Sequence, residues 1–148
     1  VTRAEQVRQL VKGIQLDVKQ YEQLKSLIRH QHDLLERRDT EALSRHNSRQ
    51  DELCQVLRQR AQGRCDQLAA LGLPGDDKGM NRLLSAIPGD SGKKIGLLWQ
   101  QLQQLVHQCK AQNDINGRLL NTQQRSLNRL VDPQKAQALE NDYGQLHP

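Results

Sequence analysis

The stretch 113-NDINGRLL-120 decides how this chain folds. Asn-Gly is a strong short turn signal, because both residues tolerate positive φ. Here it lies inside a region patterned like a helix. If the chain turns at Asn116-Gly117, two short helices result; if it does not, one long helix does. The phase of the apolar residues separates the two cases. Trp99, Val106, Asn113, Leu120 and Leu127 share one column, Leu98, Leu105, Gln112 and Leu119 a second, and Cys109, Asn116 and Leu130 a third. A turn would reset that phase, and the helical period runs through unchanged. The spacing predicts one helix from about Lys93 to Val131, ended by Asp132-Pro133. Gly117 then costs ~1 kcal/mol relative to Ala. It removes a side chain where another helix can approach. Asn113 and Asn116 fall on the packing face, where buried amides need partners. Those partners are either neighbouring helices or the backbone of a bound peptide.

The same pattern extends towards the N-terminus. Val7, Ile14, Tyr21, Ile28 and Leu35 recur every seven residues, widened by Leu10, Val11, Val18, Leu24 and Leu34, and predict a helix over 2–37. Asp39 or Thr40 can cap a second helix over 40–71, with stripe residues Leu43, Leu53, Leu57, Ala61, Cys65, Leu68 and Leu71. His46, Asn47 and Gln50 make the first half of that stripe polar, for no evident reason. The short joint leaves two forms open, a hairpin or one bent rod. Gly72 and Pro74 end the second helix. Asp76 or Asp77 caps a short helix over 77–87, Pro88-Gly89 stops it, and "GDSGKK" reads as a loop. Residues 133–148 carry too little apolar surface to offset their ordering entropy and are expected to form a mobile tail.

The 148 residues fit one domain, helical over 1–132. There is no Phe and only one Trp and two Tyr, so the packing must be thin, made of long helices sharing narrow stripes. The expected class is all-α, a long antiparallel, coiled-coil-like hairpin or bundle with one short extra helix. The net charge is +5, but cations and acids are interspersed and aromatics for base stacking are nearly absent, which argues against nucleic acid. No apolar run approaches the ~20 residues of a membrane span. Three cysteines without framework spacing, and no leader-like N-terminal stretch, give a cytoplasmic expectation.

Several chemical motifs fail on context. "GDSG" at Gly89–Gly92 matches a serine-protease nucleophile loop, but no strands are predicted to build that fold. "GDSGKK" lacks phosphate-loop spacing. His30 and His32 are two apart on a helix and point to different faces, as do His107 and Cys109. No catalytic residues, no metal site and no cofactor are expected, and the chain is not expected to be an enzyme.

Three stretches together resemble the FlgN family of flagellar type III export chaperones. They are "LLERRDTEALSRH", "RCDQLAALGL", and "LLWQQLQQLVHQCKAQNDINGRLL" with its Asn-x-x-Asn-Gly-x-Leu core at Asn113, Asn116, Gly117 and Leu119. The resemblance implies a chaperone that binds the C-terminal helices of hook–filament junction proteins, keeps them soluble and delivers them to the export gate. It places a client face on Trp99, Leu102, Val106, Asn113, Asn116, Gly117, Leu120 and Leu127, with helix-in-groove docking. It also implies export-gate docking through Tyr143 and Gly144, although the chain stops four residues later. A homodimer through the empty client groove is expected when no client is bound. The alternative is a structural helical-bundle adaptor without an export role.

Overall fold

The computed structural model describes residues 2–131. Among them are four helices and no strand: α1 (Arg3–Arg37), α2 (Thr40–Ala70), α3 (Asp77–Ala86) and α4 (Gly89–Val131). Tyr143 and Gly144, with the rest of the expected tail, lie outside the described residues.

The joint between α1 and α2 is a hairpin, not a bend. Arg38 adopts a left-handed conformation at φ 53°. Its N–H donates to Leu35 O at 3.1 Å, and that of Asp39 donates to Leu34 O at 3.2 Å. This pair of bonds closes a helix through a left-handed residue, a place usually taken by Gly. Asp39 then begins the next helix, its Oδ1 accepting from Ala42 N at 3.2 Å. Two residues therefore end one helix, reverse the chain and cap the next. Cross-links confirm the antiparallel run: Arg3 donates to Leu71 O, Arg64 to Asp17, and Gln31 to Asn47.

At the far end of α2, Gly72 takes φ 76° and Leu73 N donates to Leu68 O at 2.9 Å, the ending its Gly-x-Pro sequence predicts. Asp76 caps α3 by accepting from Lys78 N and Gly79 N. A side chain at position 79 would strike the Pro74 carbonyl, its Cβ 1.7 Å from that oxygen. Only Gly lets the connecting loop fold this tightly onto α3.

The "GDSGKK" loop expected from the sequence is instead the first turn and a half of α4, which starts at Gly89 rather than near Lys93. Pro88 is tolerated because it precedes the helix, where no backbone donor is needed. Gly92 leaves room for the Ile87 carbonyl, 2.5 Å from where a Cβ would stand. The helix then continues unbroken through Asn116-Gly117 to Val131. It runs parallel to α1, since Glu22 bonds Gln101, Lys25 bonds Gln108, Ile28 bonds Asn116 and Leu35 bonds Gln123.

The core divides in two. At the α3 end, Leu10, Ile14, Val18, Leu68, Met80, Leu83, Trp99, Leu102 and Leu105 form one apolar cluster. Higher up, Leu24, Ile28, Leu57 and Cys109 form a smaller one, flanked by Tyr21, Leu53 and Cys54.

Candidate functional site

α1 packs along both α2 and α4, whereas α2 and α4 hardly approach each other. They stand on either side of α1 like three corners of a four-helix bundle. At one end, α3 packs on α4 and sends Met80 and Leu83 into the core, which fills the fourth corner. Beyond the start of α3 no described residue fills that corner, and a furrow runs between α2 and α4.

Two consecutive hollows make up the furrow. The first, about 470 Å³, lies against Asp77 and is lined by Arg64 from α2 and by Trp99, Leu102, Gln103, Val106 and His107 from α4. The second, about 330 Å³, has Tyr21, Leu24 and Ile28 of α1 as its floor. Its walls are Gln50, Cys54, Leu57 and Arg58 on one side and Val106, Cys109, Lys110 and Asn113 on the other. Val106 belongs to both, so the hollows join. From Gln103 to Asn113 the furrow is about 15 Å long at ~1.5 Å per helical residue.

The eight residues predicted from sequence for a client face separate here. Val106 and Asn113 wall the furrow. Leu120, 40 % exposed, and Leu127, 61 % exposed, continue their column along α4. Gly117 is exposed, and a Cβ there would meet nothing within 4 Å, so none of the described helices uses its missing side chain. Trp99 and Leu102 are core, although they also edge the first hollow. Asn116 is also buried. Its Nδ2 donates to Ile28 O at 2.8 Å and to Gln31 Oε1 at 3.0 Å, while its Oδ1 accepts from Gln112 at 3.1 Å. His32 Nδ1 stands 3.0 Å from the same oxygen. Of the two partnerships open to this amide, the internal one is made.

Sequence reasoning did not single out the centre of this network. Gln31 of α1 donates to Asn47 at 2.8 Å and accepts from Gln50 at 3.2 Å as well as from Asn116. His46 adds a bond to Gln50 at 3.0 Å and an edge-to-face contact with His30. The unexplained polar half-stripe of α2 is thus one side of a hydrogen-bonded layer that joins α1 to both neighbours. A signal was available: His46, Asn47 and Gln50 lie opposite Gln31 once the hairpin is drawn.

Charge is concentrated at the other end. Asp17, buried in α1, lies 2.6 Å from Arg60 Nε and 2.7 Å from Arg64 Nη1. The Arg64 contact is an aligned hydrogen bond; the Arg60 contact is an ion pair without that alignment. The Arg64 guanidinium also lies 5.2 Å over the Trp99 ring, bridging α2 to α4 across the furrow's lower end. A separate hollow of about 470 Å³, beside Gly13 and Gly63, is bounded by α1 and α2 alone and contains none of the eight residues.

Burial pushes the Cys54 and Cys109 thiols up from their ordinary range, and it pushes the Tyr21 phenol up, with Asp17 adding to that effect. In the furrow these groups stay protonated and act as small apolar or hydrogen-bonding surface. Among the described residues no cluster of His, Cys, Asp or Glu could hold a metal ion, and no helix is long and apolar enough to cross a membrane.

Residues 6–145 match the family model described as FlgN protein, nearly the whole chain. The chain belongs to the FlgN family. FlgN proteins are, in general, flagellar export chaperones. The FlgN match takes in α2, α3, α4, all of α1 but its first three residues, and both walls of the furrow. No curated protein and no solved structure matches the chain.

Proposed function

We propose that this FlgN-family chain holds the C-terminal helical segment of a hook–filament junction protein in the furrow between α2 and α4. It keeps that segment soluble in the cytoplasm and presents it to the export gate, without catalysis or cofactor. The observation that carries the reading is the fourth corner, which the described residues leave open. Over a buried base of Leu24, Ile28 and Leu57, its exposed apolar edge of Val106 and Leu120 suits the apolar stripe of an amphipathic helix. Gly117 and Leu120 extend the same face, so a longer client helix gains a close approach and a further anchor. Tyr143 and Gly144 belong to the export-gate end of the proposal.

The test is co-expression of the full chain with such a C-terminal segment, followed by size exclusion with light scattering at low and high salt. The expected result is a stoichiometric complex that persists at high salt and is lost on Val106→Asp or Leu120→Asp, with helicity retained. A complex indifferent to both substitutions places the client elsewhere.

A second reading rests on Leu127 and Leu130, 61 % and 84 % exposed near the end of α4. They suit self-association, either as a client-free dimer or as a structural adaptor. A dimer that a client dissolves supports the chaperone; one that no client disturbs supports the adaptor.

A further inference from the structure

The walls of the furrow carry a charge asymmetry that an apolar groove does not need. Arg58 from α2 and Lys110 from α4 flank the second hollow on opposite sides. Neither makes a hydrogen bond or ion pair with another described residue. The other cation of the furrow, Arg64, is committed to Asp17. The one carboxylate in the lining, Asp77, sits at the far end and accepts from Gln103 at 2.8 Å. The apolar strip formed by Leu24, Ile28, Leu57 and Val106 is therefore bordered on each side by a cation that no described carboxylate pairs with directly. The Tyr21 hydroxyl, on the floor, also makes no hydrogen bond within the described residues.

We infer that the occupant of the furrow is an amphipathic helix with carboxylates on both shoulders of its apolar stripe, one reaching Arg58 and the other Lys110. This rests on the furrow being the client site and adds the chemical class that the site selects. A helix of one-sided or basic character would leave one or both cations facing nothing or facing like charge. Pairs at a rim steer encounter and reject wrong partners more than they add affinity. The selection is accordingly one of sign rather than of strength.

The probe is a labelled Leu-based amphipathic peptide made in three forms, with Glu, Gln or Lys at all shoulder positions. Binding to the full chain is read by fluorescence anisotropy at low and moderate salt. The Glu form is expected to bind roughly three- to tenfold tighter than the Gln form, the effect of two partly exposed ion pairs. That margin should shrink as salt is added. The Arg58→Glu/Lys110→Glu chain, its helicity checked by circular dichroism, should reverse the order and bind the Lys form best. Equal binding of all three peptides, lost on Val106→Asp but unchanged in the double variant, overturns the charge selection and leaves the furrow as an apolar site. Binding of all three that Val106→Asp does not touch overturns the furrow itself.

Discussion

The side-chain amide of Asn116 on α4 donates to the main-chain carbonyl of Ile28 on α1, at 2.8 Å. That carbonyl sits in mid-helix, so it accepts this bond beside its own helical one. Asn116→Ala would remove the link and leave Gln31, Gln112 and His32 short of a partner. Unfolding in urea, followed by circular dichroism, should show a loss of about 1–3 kcal/mol. For the same reason Asn116→Lys should unsettle the fold rather than report on a client.

Gly117 stands next to it with the opposite prediction. A Cβ there meets nothing within 4 Å, and the residue is in a helical interior. Gly117→Ala should stabilise the free chain by about 1 kcal/mol in a thermal melt. If the client helix uses the gap, the same substitution weakens the complex. Unchanged client affinity would remove Gly117 from the client face.

Asp17 is the single carboxylate between Arg60 and Arg64. Removing one partner of a buried ion pair strands the other charges. Asp17→Ala should cost about 3 kcal/mol, the low end for such a loss, because both arginine side chains keep about a fifth of their surface exposed. The fluorescence of Trp99, the only Trp, should shift in the same variant, since Arg64 then has nothing to hold it over the ring.

The thiols of Cys54 and Cys109 give a footprint and a pH dependence. Cys109 is buried and Cys54 half-buried, so iodoacetamide at neutral pH should label them more slowly in the folded chain than in urea. A client in the furrow should slow Cys54 further, read by mass spectrometry. Below their ordinary value of 9.0 the thiols are protonated in folded and unfolded chain alike. Above it the unfolded chain releases protons that the folded chain retains, so stability falls as pH rises. Serine at both positions should lessen that alkaline slope, leaving the part that the raised Tyr21 phenol contributes.

Much of the bundle is legible in the apolar columns and the caps. The phase through Asn116-Gly117 fixes α4 as one helix, and Asp39 and Gly72 mark ends that the structure shows. The reversal at Arg38 is not legible, because a left-handed Arg carries none of the Gly signature of such a turn. The start of α4 is also hidden, since "GDSG" is loop-like in propensity and is held helical by the close approach at Gly92. The site is legible only in part for a related reason. Trp99 and Val106 share a column, and periodicity gives them one role. The structure separates them, because Arg64 covers Trp99 while Val106 lies beyond the start of α3, where the furrow opens. Helical phase records which side of a helix faces inward, not where along it a neighbour ends.

The dependence of α2 and α4 on α1 sets the order in which the chain can assemble. Cross-links in the hairpin join residues as few as 16 apart, whereas those from α1 to α4 span 79 to 88 residues. During synthesis at about 5–20 residues per second, the hairpin is complete several seconds before Asn116 exists to close onto Ile28. Throughout that interval α1 presents the whole flank that α4 will cover, with Ile28 and Leu24 uncovered. A member of an export-chaperone family thus passes through a stage with an unshielded face of its own, and its yield in the cell should depend on how quickly α4 follows.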